Sequence, residues 1–85
     1  MAIEQRIKEI LERELPDSMV EVDRDSVSGK VGGRIIWKGF YGLDSLRRQK
    51  NIFGRLRKHL SWADEQTISF IFSYTPEEYE TVTSC

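Results

Sequence analysis

Apolar residues recur at Ile3, Ile7, Ile10, Leu11 and Leu15, with Glu and Arg between them. That spacing returns to one side of a helix and predicts an amphipathic α-helix. Pro16 ends it, because the residue before a proline avoids the helical region. Met19–Asp23 (MVEVD) alternates and predicts a short strand. Asp25–Gly33 (DSVSGKVGG) is small and polar apart from its valines and reads as a mobile turn. Arg34–Phe40 (RIIWKGF) follows as a second strand, so the three segments predict an antiparallel hairpin.

Leu43–Leu60 predicts a second helix, with Asp44 or Ser45 able to cap its start. On a helical wheel Leu46, Ile52, Phe53, Leu56 and Leu60 share one arc, and Gln49 falls inside it. Arg47, Arg48, Lys50, Arg55, Arg57 and Lys58 fan around the remainder, and Gly54 is a mild interior weakness. Residues 66–74 (QTISFIFSY) are the cleanest strand. Strict alternation puts Ile68, Phe70, Phe72 and Tyr74 on one face, and Thr67, Ser69, Ile71 and Ser73 on the other. Thr75-Pro76-Glu77-Glu78 has the form of a capping box with proline at the first helical position. It opens a short last helix, and the polar residues Thr81–Cys85 are expected to form a flexible tail.

The order αββαβ with a short C-terminal helix predicts an α+β two-layer sandwich, with two helices on one face of a three-stranded sheet. No repeat or linker divides the chain, so residues 1–80 read as one domain and 81–85 as its tail. At 85 residues one hydrophobic core is the limit, and 39% hydrophobic against 32% charged residues describes a folding chain rather than a disordered one. The only cysteine, Cys85, excludes a disulfide scaffold. No apolar run reaches the roughly 18 residues of a membrane span, and acids stand where a signal peptide would be apolar. A reducing, cytoplasmic setting is expected.

The net charge of −1 conceals a segregation. Residues 1–29 sum to −4, residues 30–60 to +8 and residues 61–85 to −5. Either the basic middle presents a positive field to a partner, or its charges pair with the acidic ends on folding. Little else carries chemistry. One His and one Cys do not make a zinc site. His59, the only imidazole, has no nucleophile to serve and lies near a helix C-terminus, where a cation is favourable. Asp23 and Asp25 read as solvated turn residues. Gly29–Arg34 (GKVGGR) lacks the spacing of a phosphate loop and leads into a strand rather than a helix. The six cations of 47–58, joined by Lys30, Arg34 and Lys38, could neutralise several phosphates. Such contacts position a nucleic acid without reading its sequence. Trp37 and Tyr41 lie near enough to stack on bases, although core packing accounts for Trp37 equally well. The same surface would suit an acidic protein partner.

Phe40-Tyr41-Gly42 followed by Leu46-Arg47-Arg48-Gln49-Lys50-Asn51-Ile52-Phe53 resembles, without a gap, the BolA family's pattern of F-x-G, a short turn, then R-H-R-x-V-Y. Phe40, Gly42 and Arg48 match outright, Lys50 stands for the second arginine, and Ile52 and Phe53 stand for the apolar and aromatic pair. Thr75-Pro76-Glu77-Glu78-Tyr79 is similar to the family's T-P-x-E-W, and the first helix and Val20–Asp23 followed by Ser26 fit its opening. The resemblance covers roughly residues 3–80. It implies a fold like the type II KH domain without its Gly-x-x-Gly loop, and a non-enzymatic role.

Two activities are implied by the resemblance. One is nucleic-acid binding that regulates transcription and stress responses, carried here by Lys30, Arg34, Arg47, Arg48, Lys50, Arg55, Arg57 and Lys58. The other is docking of a monothiol glutaredoxin with shared ligation of a two-iron cluster, for which Arg48, Gln49 and Lys50 are the contact positions. The first is the leading expectation. Two departures bear on the second. Gln49 replaces the family histidine, and an amide is a poor iron ligand beside imidazole or thiolate. The hairpin turn also holds neither His nor Cys. His59 lies ten residues further on, about 15 Å of helical rise away, and Cys85 would have to reach in from the tail. No cofactor of the chain's own is expected, and a shared iron–sulfur cluster only with another source of ligands.

Overall fold

Ile7, Leu11 and Leu15 are fully buried, so the first predicted stripe is the core face of α1 (Ile3–Glu14). The structure, a computed structural model, describes residues 2–83, with the backbone alone at 82 and 83. After α1 come β1 (Met19–Arg24), β2 (Val31–Ile36), a 3₁₀ turn at Lys38–Phe40, α2 (Ser45–Arg57), α3 (Trp62–Gln66), β3 (Ile68–Tyr74) and α4 (Pro76–Thr83). The sheet order is β1-β2-β3, with β1 antiparallel and β3 parallel to the central β2. The architecture is the expected α+β sandwich, with α1 and α2 over one face of a three-stranded sheet. Its core joins the stripe of α1 to Ile52 and Leu56 of α2, Val20, Val31, Ile35, Ile68 and Ile71 of the strands, and Phe40, which is completely buried. No helix among the described residues is long and apolar enough to cross a membrane.

The hairpin is tighter than its glycines suggest. The turn spans only 25–30, closed by Gly29 N–H to Asp25 O at 2.7 Å and Asp25 N–H to Lys30 O at 2.8 Å. Gly32 and Gly33, expected in the turn, are inside β2, opposite Asp23 and Val22. There a glycine gives close approach rather than a bend, since a Cβ at Gly33 would lie 2.2 Å from the Glu21 carbonyl oxygen. The second strand correspondingly ends at Ile36, and Lys38–Phe40 winds into the 3₁₀ turn. Gly42 follows in the left-handed region at φ 79°, which a glycine adopts without the Cβ penalty.

The largest departure from expectation is in β3. Val31 pairs with Ile68 but Gly32 with Phe70, so Ser69 is the extra residue of a bulge. Its hydroxyl donates to Val31 O at 3.3 Å, which satisfies the irregular spot. One inserted residue reverses every side chain beyond it. Ile68 and Ile71 therefore both face the core, while Phe70 and Phe72, expected beside Ile68, are 48% and 54% exposed on the outer face of the sheet.

Helix boundaries also shift. The expected helix 43–60 is α2 plus a break, and α3 was not anticipated. Ser61 caps α3, accepting from Asp64 N–H at 3.2 Å. Leu46, placed in the buried arc by the wheel, is 63% exposed because it sits in the first turn of α2, beyond the sheet's cover. At the C-terminus α4 continues through Thr81–Thr83, and the rest of the expected tail, Ser84 and Cys85, lies outside the described residues.

Candidate interaction surface at the start of α2

The separated motifs meet at one side chain. Asp44 caps α2 by accepting Arg47 N–H at 2.8 Å. This aims Arg48 back across the sheet, where its guanidinium donates to Leu43 O at 2.8 Å, Ser73 O at 3.2 Å, and the two Glu78 oxygens at 2.6 and 3.1 Å. It also lies 5.7 Å from the centre of the Phe40 ring. Glu78 completes the capping box of α4, accepting Thr75 N–H at 2.9 Å while its own N–H donates to Thr75 Oγ1 at 3.2 Å. The Arg48 hydrogen bonds, seconded by the Thr75 N–H, hold the Glu78 carboxyl down at about 2. Gln49 is similarly committed, with Nε2 donating to Ile71 O at 2.7 Å. Arg48 and Gln49 together cover carbonyls along the open edge of β3, as an edge strand requires.

Charge pairing reorganises the basic segment. Arg34 is bound to Glu21 and lies 5.6 Å from the Tyr79 ring centre. Arg55 donates to Asn51 Oδ1 at 2.6 Å and Glu14 O at 3.1 Å, and lies 5.8 Å from the centre of the Trp37 ring. Arg57 pairs with Glu65 at 2.9 Å. Glu14 gathers Arg55 and Lys58, each at 3.6 Å, and His59 at 3.5 Å. Burial pushes the Glu14 carboxyl up, but Lys58, His59 and Arg55 outweigh it and hold the group below its ordinary value. Of the eight candidate phosphate contacts, Arg34, Arg48, Arg55, Arg57 and Lys58 thus have carboxylate partners within the chain. Among the described residues, Lys30, Arg47 and Lys50 have none, nor has Lys38.

Arg47 and Lys50 share a face of α2 at i, i+3. Leu46 lies one turn from Lys50, and Tyr41, 49% exposed, precedes the helix. Glu77 beside the Tyr41 hydroxyl raises its pKa, with burial adding to the effect. Trp37 is packed instead, donating Nε1–H to Pro16 O at 3.1 Å and meeting Phe40 edge-on. The donor set does not fit the implied cluster. The Gln49 amide is turned onto a backbone carbonyl, His59 is drawn to Glu14, and no group of three potential metal-ligating side chains occurs among the described residues. What remains exposed on the first turns of α2 is Leu46 with two cations that have no carboxylate partner among the described residues, while Tyr41 is half exposed with its hydroxyl at Glu77.

A central β2 with an antiparallel β1, a parallel β3 and helices on one face is an α+β sandwich of type II KH-like order. Comparison with solved structures narrows this. The chain is similar to BolA1 from Arabidopsis thaliana, with TM-score 0.72 and 24% identity over 92% of this chain and 96% of that one. It is likewise similar to the BolA domain of SufE1 from the same plant, with TM-score 0.72 and 26% identity over 92% and 96%. A bolA protein homologue from Coxiella burnetii gives TM-score 0.70 and 26% identity over 94% and 99%. No family model matches the sequence, and no curated protein matches it significantly. The fold is that of the BolA family.

Proposed function

We propose that this chain is a non-enzymatic BolA-type binding protein that docks another protein through Tyr41, Leu46, Arg47 and Lys50. A monothiol glutaredoxin is the partner class that the motif resemblance implies. The observation that carries this reading is a large aliphatic side chain, Leu46, 63% exposed beside two cations with no partner of their own. An apolar anchor with a charged rim is the make-up of a protein interface. Docking of this kind takes no imidazole from position 49, so any cluster keeps the partner's own ligands. Calorimetric titration with a monothiol glutaredoxin tests the proposal. Leu46→Asp and Lys50→Glu should each weaken binding at least tenfold, and the visible bands of a bound cluster should not move on docking. Absence of binding, or binding indifferent to both substitutions, defeats it.

Nucleic-acid binding by α2 and the hairpin turn is the second reading, favoured by the unpaired Arg47 and Lys50 of the helix and Lys30 of the turn. Its electrostatic scale can be measured. Three phosphate contacts on duplex DNA give a slope of log K against log salt of about −2.7, where eight would give about −7. A salt series therefore reports directly how many of the eight cations are free, and a value near −3 is expected.

A further inference from the structure

The bulge at Ser69 leaves an aromatic stripe on the side of the sheet opposite α1 and α2. Phe70 and Phe72 meet edge-on with centroids 4.8 Å apart, and both are about half exposed. Tyr74 continues the stripe, and Tyr79 of α4 packs on it and closes that end. Gly32 stands between Asp23 on β1 and Phe70 on β3, with no side chain to fill the space. An open depression of about 390 Å³ lies over it, with Phe72 on the β3 side and Asp23 on the β1 side. Its charges do not balance. Arg24 is bound to Glu4, and Arg34 to Glu21. Both Arg34 hydrogen bonds fall on Glu21 Oε2, which leaves Oε1 without a donor among the described residues. The Asp23 carboxylate has no hydrogen-bond or ion-pair partner among them either. Asp25 stays charged, because the Val27 N–H and the Ser28 hydroxyl hold its carboxyl below the ordinary value. Against these carboxylates, Lys30 is the lining cation left unpaired. The rings are also uneven. Arg34 lies over Tyr79, Arg48 over Phe40 and Arg55 over Trp37, but among the described residues no cation lies over Phe70 or Phe72.

We infer that this depression receives an arginine side chain presented by a short segment of a partner protein, with its guanidinium between Asp23 and the Phe72 ring. A guanidinium is planar, so it stacks on an aromatic face and forks its N–H donors onto a carboxylate at the same time. The two walls are set for this. β1 and β3 are two strand spacings apart, roughly 10 Å, and only Gly32 lies between them at this row. Phe70, edge-on to Phe72, backs the ring that the cation would cover. Lys30 opposes such a guest, but its flexible stem lets the ammonium turn out into water. The depression is too open to strip a free cation of its water, whereas a segment also covers Phe70 and Met19, which is 60% exposed. A second copy of the chain is the poorer occupant. Strands of six or seven residues spaced about 4.8 Å apart give a face of roughly 14 by 20 Å, about 280 Å² against the roughly 800 Å² per partner of a stable interface. The inference does not rest on docking at α2, which packs on the other face of the sheet.

NMR chemical-shift titration of the full chain with the peptide acetyl-Thr-Val-Arg-Val-Thr-amide tests the inference. Saturable shifts should centre on the amides of Asp23, Gly32 and Phe72. The same peptide with citrulline for arginine, equal in shape but uncharged, should bind about tenfold more weakly. Asp23→Asn should weaken the arginine peptide by about tenfold and Phe72→Leu by about fivefold, while Phe72→Tyr should stay within about twofold of the parent, because the cation needs only a ring. Lys30→Gln should tighten binding, since it removes a like charge. All three positions lie outside the core, so far-ultraviolet circular dichroism should be unchanged. The inference is overturned if no shifts centre on these residues, if the citrulline peptide binds equally well, or if Lys30→Gln weakens binding, as a guest of opposite charge would require. Dimerisation lost in Phe72→Leu without any peptide binding would also overturn it, since the face would then belong to a second copy.

Discussion

Gly33→Ala is expected to cost about 3 kcal/mol, a fall of about 12–24 °C in melting temperature for a domain of this size. The cause is steric. The added Cβ would stand 2.2 Å from Glu21 O, 3.1 Å from Val22 Cα and 3.2 Å from Glu21 C. All three atoms belong to the backbone of β1, so no side chain can swing aside. Relief requires β1 to move off β2, which disturbs the hairpin ladder and the seating of Val20, itself only 6% exposed. Gly54→Ala is the matched control. Nothing lies within 4 Å of a Cβ there, on an exposed turn of α2, and alanine in a helix interior should instead gain about 1 kcal/mol. Thermal melts of the two variants should move in opposite directions. A Gly33→Ala protein that melts with the parent would mean that β1 and β2 are not paired in this register.

The same glycine shows where sequence pattern stops being informative. Gly32 and Gly33 look like a turn because local propensity describes a residue without its neighbours, whereas their role is set by the backbone of another strand. α1 and the helix caps were readable because their signals are local: a 3.6-residue repeat, Asp44 or Ser45 before α2, and Thr75 with Glu78. β3 was recognisable as a strand but its facing was not, because the Ser69 bulge depends on a hydrogen bond to Val31 across the sheet. The aromatic stripe was hidden for that reason alone. α3 went unseen because five residues are too few to show a period. Charge followed the same rule. The basic middle and acidic ends were plain in the chain, but Arg48 finds Glu78, Arg57 finds Glu65, and Arg55 and Lys58 find Glu14 only once the fold brings the segments together. The motif resemblance carried further than propensity, since Phe40, Arg48, Thr75 and Glu78 are its matching positions and converge on one contact.

Arg48→Ala should therefore behave as a core substitution, although the residue looks in sequence like one more surface cation. Its side chain is only 12% exposed. Truncation leaves Ser73 O at the strand edge and Leu43 O at the helix entry without their donor, and deprives Glu78 of its counter-charge. A loss of about 2–3 kcal/mol is expected, against less than about 1 kcal/mol for Arg57→Ala, whose pair with Glu65 is 66% exposed on the arginine side.

Acid titration separates the electrostatic part. The Glu78 carboxyl is held at about 2, below its ordinary 4.5. A depressed carboxylate contributes stability that is complete above its unfolded pKa and is lost as pH falls through its folded value. The parent's advantage over Arg48→Ala should accordingly be flat from pH 8 to 5 and narrow between about pH 4.5 and 2. Because Glu78 is about half exposed, solvent screening limits that narrowing to about 1 kcal/mol, and the remainder, from the orphaned carbonyls, should persist in acid. Denaturant melts across this range check both parts. If Arg48→Ala proves no costlier than Arg57→Ala, with no narrowing in acid, then the guanidinium is not locked against Glu78 and is free to meet a phosphate. The count of available cations on α2 would rise accordingly, and nucleic acid rather than protein would become its better partner.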